Sequence, residues 1–195
     1  MSAKNGKGKI RSSAQSEAMN QDLPLIVRAA SYAAHKHREQ RRKGRNDLPY
    51  INHPLELAEV LCVEGGVTDP VVLAGALLHD TIEDTETTYR ELRVLFGARI
   101  ADVVLEVTDT KFLSKELRKR LQVIRSSRVS AEAAQIKIAD KICNLRSILS
   151  SPPGGWSLER IQTYFDWAHE VIAKVRYAHP ALAKRFDALY RRRPK

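Results

Sequence analysis

The segment DPVVLAGALLHDTIEDTET, residues 69–87, is the most informative stretch of this sequence. From Val71 to Leu78 it carries no polar side chain, so a helix formed here has no face suited to water and is predicted to be buried all round. The same helix then carries His79 and Asp80 into the interior. Because a buried carboxylate must be paired or bound to a cation, these two residues are candidate metal ligands. The alternative is a helix that reaches the surface at its C-terminal end, where an imidazole lies near free carbonyl groups.

Two further helices are predicted on the N-terminal side of this segment. Asp22 and Pro24 can open a helix that runs to about residue 40, and Asn52 can cap a second helix that ends at the glycine pair 65–66. Between them, RRKGRNDLPYIN, residues 41–52, is polar and marked by glycine and proline, which is typical of a loop.

Capping and breaking residues also divide the rest of the chain into helices. Thr88 and Glu91 form a capping box for a helix that Gly97 stops. Further helices are predicted over residues 68–80, 98–108, 115–127, 131–149, 157–177 and 180–191. No segment alternates strictly between apolar and polar residues, so no strand is predicted. We therefore predict an all-α protein, a single helical bundle of about eight to ten helices.

The charge and composition restrict the class of protein. The chain has 195 residues, 43% of them hydrophobic, and a net charge of +10. Residues 1–20 carry +3 and residues 191–195 carry +4, so we predict two basic tails, the first of them flexible, around a nearly balanced domain at residues 21–190. Such tails attract polyanions in a generic, salt-sensitive way, which argues against a specific nucleic-acid partner.

Neither a membrane nor a secretory route is indicated. No apolar run reaches the roughly 18–20 residues of a membrane span, and the polar N-terminus lacks the apolar core of a secretory signal. Cys62 and Cys143 lie far apart without a CxxC spacing and are predicted to be reduced, buried thiols. A cytoplasmic protein is the resulting expectation.

The segment QIKIADKICNLRSIL, residues 135–149, can supply another carboxylate. Its apolar stripe consists of Ile138, Ile142, Leu145 and Leu149. The opposite side carries Lys137, Asp140, Asn144 and Ser147. Helical periodicity leaves two interpretations open, an ordinary solvated face or a polar pocket lined by Asp140 and Asn144, which lie one turn apart.

His53 completes a candidate ligand set. It lies in PYINHP, residues 49–54, at a helix start held by Pro54, which makes a rigid position for a ligand. Two imidazoles and two carboxylates suit Mn²⁺, Fe²⁺ or Zn²⁺ rather than a structural cysteine site. A metal with four protein ligands keeps open positions for a phosphate oxygen and for a water whose pKa it lowers.

The order His53, His79-Asp80, Asp140 resembles the H…HD…D signature of HD-domain phosphohydrolases. The flanking text is more specific and is similar to the hydrolase domain of RelA/SpoT homologues, above all to small alarmone hydrolases of the metazoan type. The segments that carry the resemblance are RRKGRNDLPYINHP (41–54), ALLHDTIEDT (76–85), FGARIADVVLEVTD (96–109), KIADKICNLR (137–146) and GWSLERIQTYFDWA (155–168). The resemblance covers residues 24–190 and leaves no stretch for a synthetase domain.

The resemblance implies an HD-domain fold and an enzyme that removes pyrophosphate from the 3′ position of (p)ppGpp, giving GDP or GTP, in stringent-response alarmone turnover. It implies one Mn²⁺ per chain, with His53, His79, Asp80 and Asp140 as the ligands. Glu83 and Asp84 match the family's catalytic acidic pair, and a carboxylate near a metal can orient or deprotonate the attacking water.

The resemblance also implies a set of substrate contacts. Arg42 and Lys43 match a loop at the base-binding side, where a guanidinium can stack on a purine. Asn144 matches an asparagine that faces the nucleoside, and Tyr164 an aromatic residue that borders the substrate. Lys115, Arg118 and Arg120 lie on a helix that either meets a 5′-diphosphate or forms an ordinary solvated face.

Two alternatives remain beside this function. An HD hydrolase could act on another nucleotide, such as the 2′-phosphate of NADPH, or a degenerate HD module could bind nucleotides without turnover. All six implied metal and catalytic positions are present, which favours an enzyme. The predicted partner is a small-molecule nucleotide, and the sequence does not indicate an oligomeric state.

Overall fold

The computed structural model describes residues 13–42 and 47–195, and within them it contains ten α-helices and no β-strand. Their bounds are α1 Ser13–Lys36, α2 Asn52–Glu59, α3 Pro70–Leu78, α4 Thr81–Asp84, α5 Tyr89–Phe96, α6 Ala98–Val107, α7 Lys115–Ser126, α8 Ala131–Ser150, α9 Leu158–Val175 and α10 Pro180–Tyr190. A π-helical turn, Val60–Glu64, continues α2, and a 3₁₀ turn, Arg176–Ala178, follows α9. The all-α prediction is confirmed.

Helix starts and stops follow the local signals at several positions. The Asp69 carboxylate accepts a hydrogen bond from Val71 N at 2.8 Å, directly before the proline that begins α3. The Thr88 hydroxyl accepts one from Glu91 N at 3.1 Å, as the predicted capping box requires. Gly97 ends α5 with φ of +88°, a conformation that favours glycine.

The predicted start of the first helix was wrong. Helix α1 begins at Ser13 instead of Asp22, and Pro24 lies inside it rather than in its first turn. Residues 13–21 are rich in alanine, glutamine and other good helix formers, which explains the longer helix. The proline costs one backbone hydrogen bond without ending α1. Residues 1–12 of the predicted tail lie outside the described residues.

Three smaller predictions also need correction. Asn52 is the first residue of α2 rather than its cap, and Ile51 at the N-cap position makes no side-chain capping bond. The four-residue helix α4 was not predicted, because it carries too few residues to show a period. Both cysteines are free as expected, but Cys62 is exposed and only Cys143 is buried.

Two helices form the centre of the molecule. In α3 every residue from Val72 to Leu78 is buried, as the unbroken apolar run predicts. Helix α8 packs against α3, and its residues Ile138, Ile142 and Leu145 are fully buried. Helices α1, α2 and α6 enclose α3, while α2, α6, α9 and α10 pack on α8. None of the described helices has both the length and the apolar character that a membrane span needs.

This packing brings the candidate ligands together. His79 and Asp80 follow the last residue of α3, His53 lies in the first turn of α2, and Asp140 lies in the middle of α8. Because α2, α3 and α8 all touch one another, three segments far apart in sequence meet at one point.

The close approach of α3 to its neighbours gives a stability prediction. A Cβ at Gly75 would lie 2.9 Å from Ile136 Cδ1 and 3.1 Å from Val103 Cγ1. We expect Gly75→Val to lower the free energy of unfolding by about 1–3 kcal/mol, because the added methyl groups overpack this interface. Urea denaturation measures the change. Gly154→Ala, where a Cβ meets nothing within 4 Å, is the control, and an equal effect of both variants would contradict the prediction.

Candidate functional site

Three of the four predicted metal ligands, His53, His79 and Asp80, form a compact group, here called the ligand group, in which both histidines are buried. One side-chain atom each from His53, His79 and Asp80 lies within 4.8 Å of the other two. His53 is 2% exposed and His79 6% exposed, and their ring centroids are 5.2 Å apart. Such a group, with ligand atoms from imidazole and carboxylate, can hold a divalent transition metal ion.

The hydrogen bonds of His79 orient it as a ligand. Its Nδ1 donates to the carbonyl oxygen of Ala76 at 2.8 Å, which leaves Nε2 without a proton in the neutral ring. Nε2 is buried, makes no hydrogen bond with any described residue and lies 2.8 Å from Asp80 Oδ2. A backbone carbonyl behind one ring nitrogen is the usual arrangement of a metal-bound histidine.

His53 also has a buried nitrogen without a partner. Its Nδ1 makes no hydrogen bond within the described part of the chain, and its Nε2 lies 3.2 Å from Asp140 Oδ1. Burial lowers the pKa of His53, which favours the neutral ring that a metal requires. His79 Nε2, which has no hydrogen bond within the described residues and lies beside the Asp80 carboxylate, therefore fits a bound cation.

Asp140 lies at the edge of this group rather than inside it. Its Oδ1 accepts a hydrogen bond from Asn144 Nδ2 at 2.6 Å, and its Oδ2 accepts one from Lys141 Nζ at 2.7 Å. Although burial opposes its charge, the ammonium of Lys141 keeps the pKa of Asp140 well below its usual range. Asp140 is thus an ionised carboxylate beside His53, which supports the polar-pocket interpretation of this face of α8 over the solvated one.

Tyr50 lies next to the ligand group, and the sequence motifs did not predict this position. Its hydroxyl donates a hydrogen bond to Asp80 Oδ2, and its ring packs between His37 and His53 at centroid distances of 4.8 and 6.0 Å. Burial and the Asp80 charge raise the pKa of Tyr50, so it stays a donor. The signal that could have found it is its position in PYINHP, three residues before His53.

The acidic pair lies on α4, directly after Asp80. Glu83 accepts hydrogen bonds from Asp109 N at 3.0 Å and from Arg118 at 3.1 Å, and its side chain is 18% exposed. Burial, together with the carboxylate of Asp109 and to a lesser degree that of Asp80, raises the pKa of Glu83 to about 7. Asp84 is more open, at 39% exposure, and its carboxylate lies 3.9 Å from Lys111 Nζ.

His79, Asp80, Asp140 and the acidic pair line one cavity of about 210 Å³, here called the catalytic cavity. Its lining residues are Tyr50, His79, Asp80, Glu83, Asp84, Val107, Asp109, Gln122, Ile136, Lys137, Asp140 and Lys141. The sequence motifs indicated no role for the two buried lysines, Lys137 and Lys141, although both lie within one turn of Asp140 on α8.

A second cavity, of about 270 Å³, is lined by His53, which does not line the catalytic cavity. Arg42 lines it and donates a hydrogen bond to Asn144 Oδ1 at 3.1 Å, while its guanidinium lies 5.7 Å from the Tyr50 ring centroid. The two predicted nucleoside contacts, Arg42 and Asn144, are therefore adjacent. Lys43 lies outside the described residues.

Tyr164 belongs to a group of aromatic rings surrounded by cations. Its ring lies 5.7 Å from that of Trp156 and 5.2 Å from that of Trp167. Cationic groups over these three rings, at 4.4–5.8 Å, come from Lys115, Lys119, Lys141 and Arg160. The sequence motifs predicted substrate contacts at Tyr164 and Lys115, but not at the other aromatic and cationic residues of this group. Such a surface can hold a planar or anionic group.

The predicted phosphate-binding row on α7 divides in the structure. Lys115 Nζ lies 5.8 Å from the Trp156 ring centroid, in the aromatic group. Arg118 instead donates to Glu83, so it acts on the acidic pair, and Arg120 is exposed. The sequence predicted that Lys115, Arg118 and Arg120 share one cationic face of α7. In the structure Lys115 lies over Trp156 and Arg118 binds Glu83, so these residues have separate partners.

Comparison with known proteins identifies relatives. Residues 29–163 match the family model of the HD domain. A Xenopus tropicalis protein named guanosine-3′,5′-bis(diphosphate) 3′-pyrophosphohydrolase MESH1 is 47% identical over 172 residues, which is 88% of this chain and 96% of the relative. The Homo sapiens protein of the same name is 45% identical over 90% of this chain and 98% of its own length.

A solved structure shares the fold. It is described with the words "A metazoan ortholog of SpoT hydrolyzes ppGpp and plays a role in starvation responses". It superposes with a TM-score of 0.84 at 38% identity, over 95% of this chain and 98% of that structure.

The ligand group gives a prediction about metal content. After loading with Mn²⁺ and gel filtration, we expect elemental analysis to find about one metal ion per chain in the wild type and much less in Asp80→Ala, which lacks a ligand. Glu170→Ala, at an exposed carboxylate on α9, is the control and should bind metal as the wild type does. Full occupancy in folded Asp80→Ala would contradict the assignment.

Proposed function

Since this chain belongs to the HD-domain family, we propose that it is a metal-dependent guanosine-3′,5′-bis(diphosphate) 3′-pyrophosphohydrolase, with one Mn²⁺ per chain. The observation that carries the proposal is the catalytic cavity, where three of the candidate ligands, His79, Asp80 and Asp140, meet the acidic pair and the two buried lysines. Relatives named for this activity match nearly their whole length, so the proposal covers the full described domain.

The reaction adds water across a phosphate ester. The water oxygen bonds to the phosphorus next to the 3′ oxygen, the bond between that phosphorus and the 3′ oxygen breaks, and the 3′ oxygen takes a proton. The products are a nucleotide with a free 3′-hydroxyl and inorganic pyrophosphate. A bound Mn²⁺ would supply Lewis acidity toward the phosphate and the water.

Different residues of this chain would bind the metal ion, orient its ligands and accept the proton from water. His53, His79, Asp80 and Asp140 would hold the metal ion, and Tyr50 would orient Asp80 through its hydrogen bond. Glu83 is the better candidate for the group that takes the proton from water, because it is more buried than Asp84 and its pKa is raised to about 7.

The order of residues along helix α8 indicates how the proposed substrate is oriented in the site. Lys137, Asp140 and Asn144 occupy successive turns of the helix, with the catalytic cavity at Lys137 and the Arg42 contact at Asn144. We place the nucleoside on the Arg42 and Asn144 side and the 3′-diphosphate in the catalytic cavity. Tyr164, Lys115 and the other members of the aromatic group would border the substrate.

Product analysis tests the proposal. We expect the Mn²⁺-loaded protein to release pyrophosphate, and not phosphate, from ppGpp and pppGpp, with no turnover after chelation. NADPH and the dNTPs complete the panel. Faster phosphate release from NADPH would instead support the 2′-phosphatase alternative, and nucleotide binding without any product would support a non-catalytic module.

The acidic pair is expected to act on water rather than on the metal. Glu83→Gln and Asp84→Asn should each lower kcat toward ppGpp by about 10²–10⁴-fold, because the amides keep the shape but cannot accept the proton. Metal content should stay at the wild-type value. Glu116→Gln, at an exposed carboxylate on α7, is the control. Wild-type rates in both variants would exclude the water-activating role.

The pH dependence of kcat is expected to distinguish the role of Glu83 from that of Asp84. A carboxylate whose pKa is raised is protonated below that pKa, so kcat should fall as the pH drops through about 7, or through a lower value if the cation stabilises ionised Glu83. The residual activity of Glu83→Gln should lack this acid limb, whereas that of Asp84→Asn should keep it. An unchanged limb in Glu83→Gln would assign the titration to another group.

A further inference from the structure

Lys137 is a buried cation to which the proposed reaction gives no role. The residue is 6% exposed and its side chain lines the catalytic cavity. Its Nζ makes no hydrogen bond and no ion pair with any residue in the described part of the chain. Lys141, its neighbour on the same helix, is bound to Asp140 at 2.7 Å and lies 4.4 Å from the Trp167 ring centroid.

The carboxylates around Lys137 are already engaged. Those whose charges act on it are Asp109, Asp140 and Glu83. They accept hydrogen bonds from Gln122 at 3.2 Å, from Lys141 at 2.7 Å and from Arg118 at 3.1 Å, respectively. Lys137 is therefore the cation of the cavity that lacks a direct partner among the described residues.

Burial of most of the Lys137 side chain with no carboxylate bound to its ammonium is costly for the folded protein. Burial and the charge of Lys141 lower the pKa of Lys137 to about 8, which still leaves the ammonium protonated near neutral pH. A charged group kept in this position at a cost in stability is expected to meet an anion that arrives with the substrate.

The position of Lys137 indicates which anion that is. It precedes Asp140 by one helical turn, on the side of the ligand group away from Asn144 and Arg42. Lys137 also lines another cavity, of about 220 Å³, together with Arg125 and Arg128. The surroundings of Lys137 are thus open to a phosphate group that extends past the metal site.

We infer that Lys137 binds the terminal phosphate of the 3′-diphosphate, and the same phosphate of the released pyrophosphate, and so makes the site selective for a diphosphate over a monophosphate. The inference rests on the proposed function for the identity of the substrate. Its ligand chemistry, inorganic pyrophosphate held by a buried ammonium, can be measured without turnover.

The experiment compares the binding of inorganic pyrophosphate and inorganic phosphate to Mn²⁺-loaded protein by calorimetry, with metal content checked in each sample. Lys137→Met should weaken pyrophosphate binding by about 10- to 100-fold, the usual size of a lost charge-assisted hydrogen bond, and change phosphate binding much less. Lys137→Arg should stay within a few-fold of the wild type. Lys174→Met, at an exposed lysine on α9, is the control for the loss of charge.

Lys137→Met should also remain folded and be at least as stable as the wild type, because it removes an unpaired buried charge while keeping the shape. If it does not fold, Lys137→Gln replaces it in the same comparison. Wild-type affinity for pyrophosphate in these variants, or equal weakening of phosphate and pyrophosphate, would overturn the inference. A wild-type protein that binds pyrophosphate through Lys137 but releases none from ppGpp would refute the proposed function alone.

Discussion

Helix α3 is apolar on every face, and the helices packed around it bury His79 and leave Asp80 only partly exposed, directly after the last residue of α3. Its C-terminal end delivers a histidine and an aspartate into the interior, where neither is stable as an isolated charge. The hydrogen bonds of the site residues compensate for part of this cost. His79 donates a hydrogen bond to a carbonyl of its own helix, Asp80 accepts one from Tyr50, and His79 Nε2 has no hydrogen-bond partner within the described residues.

The charged side chains of the catalytic cavity differ in whether they have a partner of opposite charge. Asp140 has Lys141, Glu83 has Arg118, and the ligand group is completed by a divalent ion in the proposed enzyme. Lys137 has no such partner within the described residues, although the charges of Asp109, Asp140 and Glu83 act on it. In the proposed enzyme, the terminal phosphate of a 3′-diphosphate would be the partner that Lys137 lacks.

Local sequence signals predicted most of the helices. The apolar run in α3, the Thr88 capping box and the stop at Gly97 depend on neighbours a few residues away, and all three are found in the structure. The start of α1 was missed because Asp22 and Pro24 imitate a helix start, while the residues before them are good helix formers. Helix α4 is too short for its period to be detected.

The sequence predicted the helical class, the burial of α3 and, through its motifs, the residue types of the candidate site. It could not distinguish a pocket from a solvated face at Asp140 and Asn144. The folded chain has a pocket there, because Asp140 lies beside His53 of α2 and Asn144 beside Arg42. Packing likewise places Arg118 against Glu83 and leaves Lys137 buried with no hydrogen-bond or ion-pair partner among the described residues. Helical periodicity reports which residues share a face, whereas the partner of a charged side chain depends on helices that are distant in sequence and meet only when the chain packs.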